Sequence, residues 1–369
     1  MGSWTKWEGL VVMLKSPKNF ARSGNNPTVN AATWRRSNQN LYTEFHSDVK
    51  WIQERVRVDC RKLPSAVKEV AHYYLSKRVK VLRENDFASP HLLSPRPIPY
   101  LAFWFARGFG VDDVQARRLL GLSLVYACLS ASPSDDLLDG SAFAMRQQMY
   151  LARWFWEQYF LTLRNLFSPG SPVWYIVSQS TADWNNGESQ TLFQDLDGKT
   201  DPLSAGFLRK ASRYLAALMF PTLAGAALLS NRPEAVKAVR RFTSFYCMGW
   251  RILDDLRDWS EDILRADIDT SCVLSFLRNS AGIPRNAPLT QELIVSLFSD
   301  QAVIGRIYSA MTGFYVAAKR EAESLQATYV ARFIDQQLLG HEAECLRIAA
   351  EGKKFREALA QLVESEGRL

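Results

Sequence analysis

Two acidic clusters carry the residue types and spacing from which chemistry can be read. They are Asp135-Asp136-Leu137-Leu138-Asp139 and Asp254-Asp255-Leu256-Arg257-Asp258, each set in apolar sequence of helical spacing. On a helix at about 100° per residue, Asp135 and Asp139 lie one turn apart on one face while Asp136 points aside. The downstream copy goes further, because Asp254, Asp258 and Asp262 follow at every fourth position and form an acidic stripe. Like charges at this spacing repel by about 0.2–0.5 kcal/mol per pair unless a cation sits between them. A purely carboxylate set selects a hard, oxygen-seeking ion, and Mg²⁺ in particular takes one or two carboxylates, keeps waters and completes its shell with substrate phosphate. The pattern therefore predicts metal-assisted chemistry on a diphosphate. Asp135, Asp139 and Asp254 are its principal catalytic acids, and Asp136, Asp255, Asp258 and Asp262 complete the candidate metal set.

The elements that must position these acids are helices. The clusters are far enough apart in sequence for several helices to intervene, so they are free to face each other across a helical barrel. From residue 41 onward apolar residues recur at helical spacing and no stretch alternates as a half-buried strand does, which predicts an all-α protein. Helices are expected at 43–59, 62–85, 97–109, 112–131, 135–166, 172–185, 203–230, 233–265, 271–279, 289–299, 301–326 and 328–367. Pro, Gly and Asn mark the breaks, notably Pro169-Gly170, Asn231-Arg232-Pro233 and the run from Gly282 to Pro288. Residues 1–40 are expected as an N-terminal arm, and 41–369 as one domain.

Composition narrows the partners. With 47 % hydrophobic and 22 % charged residues a substantial core forms, and wholesale disorder is excluded. The net charge of +7 suits an anionic small molecule, while the lack of a basic run interleaved with aromatics argues against nucleic acid. The apolar patch 10–14, flanked by Trp4, Trp7 and lysines, suits at most weak membrane-surface contact. The longest apolar run, 214–229, contains Pro221 and Gly225 and falls short of the roughly 20 residues that span a bilayer, so a buried, kinked core helix is expected. Five scattered cysteines without metal spacing predict reduced thiols in a cytoplasmic protein. The four histidines, His341 among them, show no ligand spacing and are expected at the surface or at helix ends.

On these motifs the chain resembles the superfamily of trans-prenyl diphosphate synthases and class I terpene synthases. The likeness spans residues 95–277. Arg96-Pro97 and the helical sequence leading to Asp135 repeat the order found ahead of the first motif in prenyl diphosphate synthases. Lys210-Ala211 is similar to the family's Lys-Thr pair, and Gly249-Trp250-Arg251-Ile252-Leu253-Asp254-Asp255 to the stretch that introduces the second motif, with Arg251 standing where Gln is usual. The resemblance implies an isoprenoid-synthase helical barrel around a central apolar cavity and a homodimer. It also implies a cluster of three Mg²⁺ ions, with Mn²⁺ as a substitute, and a prenyl diphosphate substrate held by Lys210, Arg251, Arg257 and Arg96.

Departures from the pattern bear on the reaction. The arginine pair that follows the first motif in chain-elongating enzymes is missing, and Arg146 stands alone and late. The segment that binds a second diphosphate is reduced to Leu92-Leu93-Ser94-Pro95-Arg96. A diphosphate deprived of charge-assisted hydrogen bonds, each contributing about 1.5–3 kcal/mol, binds poorly. The favoured expectation is therefore a terpene cyclase or lyase that ionises one allylic diphosphate and releases diphosphate. The alternatives are a prenyl diphosphate synthase that condenses isopentenyl diphosphate with an allylic diphosphate, and an inactive isoprenoid-binding scaffold. Aromatic faces stabilise a desolvated cation, with Phe103, Trp104, Phe193, Phe220, Phe245 and Tyr246 as candidate cavity walls. Ser130, Ala131 and Ala127 are small where bulky residues floor short-chain pockets in the resembling enzymes, so a C20 or longer chain is expected.

Overall fold

A computed structural model of the chain describes residues 41–78, 99–138, 144–193, 200–265, 271–284 and 287–366. Thirteen α-helices account for most of them, and the described residues contain no strand. In chain order they are α1 (His46–Cys60), α2 (Ser65–Tyr73), α3 (Tyr100–Gly108), α4 (Val114–Leu138), α5 (Met145–Arg164), α6 (Val173–Phe193) and α7 (Ala205–Ala211). Then follow α8 (Arg213–Leu229), α9 (Val236–Arg265), α10 (Cys272–Ser280), α11 (Gln291–Phe298), α12 (Gln301–Ser324) and α13 (Thr328–Glu366). A π-helical turn, Tyr74–Arg78, continues α2. The span Glu44–Leu369 is one compact unit. The arm expected over 1–40 lies outside the described residues.

Local chemistry sets the ends. Helices α3, α8, α10 and α12 each stop at a left-handed residue: Gly110, Asn231, Gly282 and Gln326. The amide that follows bonds back to the last turn, as Arg232 N does to Ala227 O at 2.8 Å. This satisfies carbonyls the helix would otherwise leave orphaned. Pro233 then opens the short turn into α9, since it lacks an amide hydrogen that the first turn does not need. Side-chain oxygens of Ser204, Ser271, Thr290 and Asp300 cap α7, α10, α11 and α12.

Helix α8 lies at the centre, buried without a gap from Ala217 to Ala227, and α3, α4, α6 and α9 pack on it. It runs unbroken through Pro221, the residue expected to kink it. No single described helix is long and apolar enough to cross a membrane. Around this centre α4 packs on α5, α9 on α12, α12 on α13, and α13 closes back on α3. Four of the five cysteines are buried.

Two expected boundaries are corrected. The single helix expected over 203–230 is two, α7 and α8, bent by 71° where they meet at Ser212. The break expected between 131 and 135 is absent, because α4 continues through Pro133 to Leu138. Proline removes one hydrogen bond and crowds one carbonyl; here Pro133 is buried and the packing of α4 outweighs that cost. The first acidic motif therefore ends a helix instead of beginning one.

The front of α4 is fixed by a buried carboxylate. Asp48 of α1 is 1 % exposed and accepts from Arg117 Nε at 2.9 Å and Arg118 Nε at 2.8 Å. Asp48→Asn is expected to lower stability by about 2 kcal/mol, the worth of charge-assisted hydrogen bonds lost with both guanidinium groups kept. A denaturant titration measures it.

Candidate active site

The two motifs reach one another through Tyr214, the second residue of α8. The phenol accepts a hydrogen bond from Arg251 Nη1 at 3.2 Å. Burial raises its pKa, and the negative charges of Asp135, Asp254 and Asp255 raise it further, against Arg251. Asp135 of α4 and Asp254 of α9 thus act on one hydroxyl from two helices. Gly187 of α6 makes room for that corner, since a Cβ there would stand 2.8 Å from Tyr214 Cβ and 2.9 Å from its backbone nitrogen.

Within each motif the adjacent aspartates divide the work. Asp135 is exposed and Asp254 half-buried. Asp136 and Asp255 are 3 % and 4 % exposed and are engaged by protein. Tyr74 Oη donates to Asp136 at 2.7 Å, and Gln148 Nε2 of α5 donates to Tyr74 Oη at 2.8 Å. Asp255 forms an ion pair with Arg251 at 3.0 Å and accepts from the backbone amide of Cys272, at the start of α10. Burial raises the Asp255 pKa above the usual carboxylate range, with Arg251 and the amide opposing. Each second aspartate ties its acidic helix to a neighbour.

The other candidates fall as follows. Asp258 and Asp262 lie one and two turns beyond Asp254 on the unbroken α9, so the stripe predicted from spacing stays on one face. The Asp258 carboxyl is pushed up to about 6 by desolvation and by the charges of Asp254 and Glu261, against the pull of Arg257. Lys210 is exposed near the end of α7, which packs on α6 and α9. Arg257 is half-buried on α9. Asp139, Arg96 and the side chain of Phe193 lie outside the described residues.

The candidate cavity residues differ among themselves. Phe103 stacks on Phe45 at 5.4 Å, Trp104 meets Phe333 at 5.1 Å, and Tyr246 stacks on Phe242 at 5.7 Å. All three are buried to within 1 % and serve ring-on-ring packing. Phe220 carries Arg240 over its ring at 5.6 Å, and Phe245 is half-buried. Ala127 and Ser130 are buried in α4, where Ser130 Oγ bonds back to Ala127 O at 2.7 Å, and Ala131 is half-buried. Cys128 and Ala131 precede Asp135 on the same face of α4. Cys128 lies near enough to Cys247 of α9 to raise its pKa, although burial is the larger cause, and Cys247 Sγ approaches Met219 Sδ of α8 at 3.8 Å.

His341 is not at the surface, as its isolation in sequence suggested, but 0 % exposed inside α13. Burial and the charge of Arg257 hold its pKa down to about 3. Because the folded value lies below the unfolded one near 6.5, His341 leaves stability intact above pH 6.5 and erodes it progressively below. At about 1.36 kcal/mol per unit, wild type is expected to lose about 2.7 kcal/mol between pH 6.5 and 4.5 that a His341→Leu variant retains. Denaturation of both proteins across that range gives the difference.

Among the described residues no three His, Cys, Asp or Glu side chains come together closely enough to hold a metal by themselves. A divalent ion fits on other grounds. The donors are all carboxylate oxygens, and Asp135 and Asp254 act on Tyr214 from two different helices. Asp254 and Asp258, one turn apart on α9, are the described pair that would share it, the rest of its shell coming from other ligands.

No protein-family model and no curated protein matches the sequence. Solved structures do match in fold. A polyprenyl synthase from Roseobacter denitrificans superposes with a TM-score of 0.59 at 16 % identity, covering 82 % of this chain and 98 % of that one. A polyprenyl synthase from Caulobacter crescentus CB15, complexed with calcium and isoprenyl diphosphate, gives 0.60 at 13 %, covering 82 % and 97 %. A decaprenyl diphosphate synthase from Rhodobacter capsulatus gives 0.59 at 15 %, covering 82 % and 98 %. The chain has the all-helical fold of the isoprenoid synthases.

Proposed function

From the fold it shares with polyprenyl synthases, we propose that the chain is a divalent-metal-dependent prenyltransferase that ionises an allylic prenyl diphosphate and passes the prenyl group to an acceptor. One observation carries the reading: Asp135 and Asp254, from two helices, act on the same half-buried tyrosine beside Arg251. Mg²⁺, shared by Asp254 and Asp258 when bound, would neutralise charge developing on the departing diphosphate, with Asp135 acting from α4. Arg251 already donates to Tyr214, so the phenol's own proton is directed to a further acceptor, and a diphosphate oxygen is the fitting one. Lys210 and Arg257 add positive charge. Asp136 anchors α4 through Tyr74 and Gln148, and Asp255 anchors α9 to α10 through the Cys272 amide. The small side chains of Ala127, Ser130 and Ala131 on α4 support a C20 or longer chain.

A second reading, cyclisation or elimination of a single substrate, is favoured by the missing arginine pair after the first motif. Arg146, its sole remnant in sequence, is exposed in the first turn of α5. We extend the proposal to a homodimer, since α5 exposes Met145, Met149, Tyr150 and Leu161. Sedimentation gives the mass.

Incubation with C10 to C25 allylic diphosphates, with and without isopentenyl diphosphate and Mg²⁺, tests the reading by phosphate release and product mass. Release that requires Mg²⁺ and stops with chelator is expected. Its absence with every chain length would leave only the scaffold alternative. Consumption of isopentenyl diphosphate identifies elongation, and a hydrocarbon product identifies the lyase.

A further inference from the structure

The junction of α9, α12 and α13 gathers polar side chains that the ionisation chemistry leaves unused. Thr312 and Tyr315 lie three apart on α12, and Gln337 and His341 four apart on α13, so each pair shares a face of its helix. Tyr315 and His341 are 0 % exposed, Gln337 is 5 % exposed, and the Tyr315 and His341 rings meet at 4.6 Å. Tyr315 Oη, both ring nitrogens of His341, Gln337 Oε1 and Thr312 Oγ1 are buried without a hydrogen-bond partner among the described residues. A buried donor or acceptor left unsatisfied costs about 1–3 kcal/mol, and native proteins tolerate few. Such a concentration marks a place built to receive a hydrogen-bonding group from outside the chain.

The group it suits is uncharged. Phenol, hydroxyl and amide are neutral, and the imidazole is neutral at ordinary pH. The nearest charges oppose one another, since Asp254 and Arg257 both act on Tyr315 from α9. A neutral imidazole offers one donor and one acceptor, the phenol and hydroxyl offer both, and Gln337 Oε1 accepts. A hydroxyl matches that set, and a diphosphate does not. The junction also adjoins the acids. Trp250, Asp254 and Arg257 occupy one face of α9, and Gly249 permits the contact, because a Cβ there would stand 2.8 Å from the Tyr315 ring.

We propose that this junction is the acceptor site of the transfer reaction and takes an uncharged hydroxyl, from water or from an alcohol, whose proton His341 accepts. The proposal rests on the ionisation reading above. The bond from carbon to diphosphate breaks with both electrons leaving on diphosphate. The hydroxyl oxygen supplies the pair for the new bond to the allylic carbon, and its proton passes to the imidazole. Water yields a prenyl alcohol; an alcohol yields a prenyl ether. Such a site also accounts for a chain whose sequence lacks the arginines for a second diphosphate.

The test follows wild type with Mg²⁺ and an allylic diphosphate in ¹⁸O-labelled water, with and without a small primary alcohol. Label in the prenyl alcohol identifies water as the acceptor, and ether formed at its expense identifies the alcohol. The ratio of oxygenated product to diphosphate released is expected to fall about tenfold in His341→Gln, since an imidazole held down to a pKa of about 3 takes up only the proton of an oxonium already formed. About tenfold is expected in Tyr315→Phe and in the near-isosteric Thr312→Val, from one lost hydrogen bond each. Wild-type products without a new carbon–oxygen bond, or a ratio unchanged across the three variants, overturn the proposal while leaving the ionisation reading standing. Wild type that releases no diphosphate at all overturns both.

Discussion

Asp254→Asn is expected to reduce metal-dependent diphosphate release by about 10³-fold, the scale of losing one preorganised electrostatic contact to a leaving group. Asparagine keeps the size and the hydrogen-bonding oxygen of the side chain but removes the charge on which a divalent ion depends. The side chain is half-buried on an unbroken helix whose apolar residues Ile252, Leu253 and Leu256 hold the core. The fold is therefore expected to tolerate the change. A release assay run over a range of Mg²⁺ concentrations, with a melting curve beside it, separates lost metal affinity from lost structure. A variant that releases diphosphate at the wild-type rate would remove Asp254 from the machinery.

Arg251→Met is expected to destabilise the protein by about 3–5 kcal/mol, because it strands a buried carboxylate. Asp255 is 4 % exposed, and its remaining partner would be the Cys272 amide. The same substitution removes the donor that orients Tyr214. Replacing both members of the pair, Arg251→Met with Asp255→Leu, is expected to recover much of the loss, since no unpaired charge is left behind. Urea titrations of the two single variants and the double variant measure the coupling. Strict additivity would show that the pair does not act as a unit.

Much of this architecture was legible in the sequence, for reasons that differ between fold and site. Long amphipathic repeats announce α9 and α12, and Asn231-Arg232-Pro233 announces the turn before α9, because propensity and packing agree there. Pro133 misled, since a local rule was outweighed by burial. The acids were legible because spacing of four is meaningful on any helix. Their tethers were not: Tyr74 stands 62 residues from Asp136, and only the fold brings them together. His341 left a weaker sign that spacing alone could have recovered. It continues the buried stripe Val330, Ile334, Gln337 on α13, and polar residues on an otherwise apolar stripe mark a junction.

The placement of the first motif near the end of α4 has an energetic consequence. Carbonyl dipoles make that end of a helix electronegative, so Asp135 sits where a carboxylate is least welcome. Such a protein trades heat resistance for readiness. Asp135→Asn is expected to melt a few degrees higher than wild type in chelator, and added Mg²⁺ to erase the advantage by steadying wild type alone.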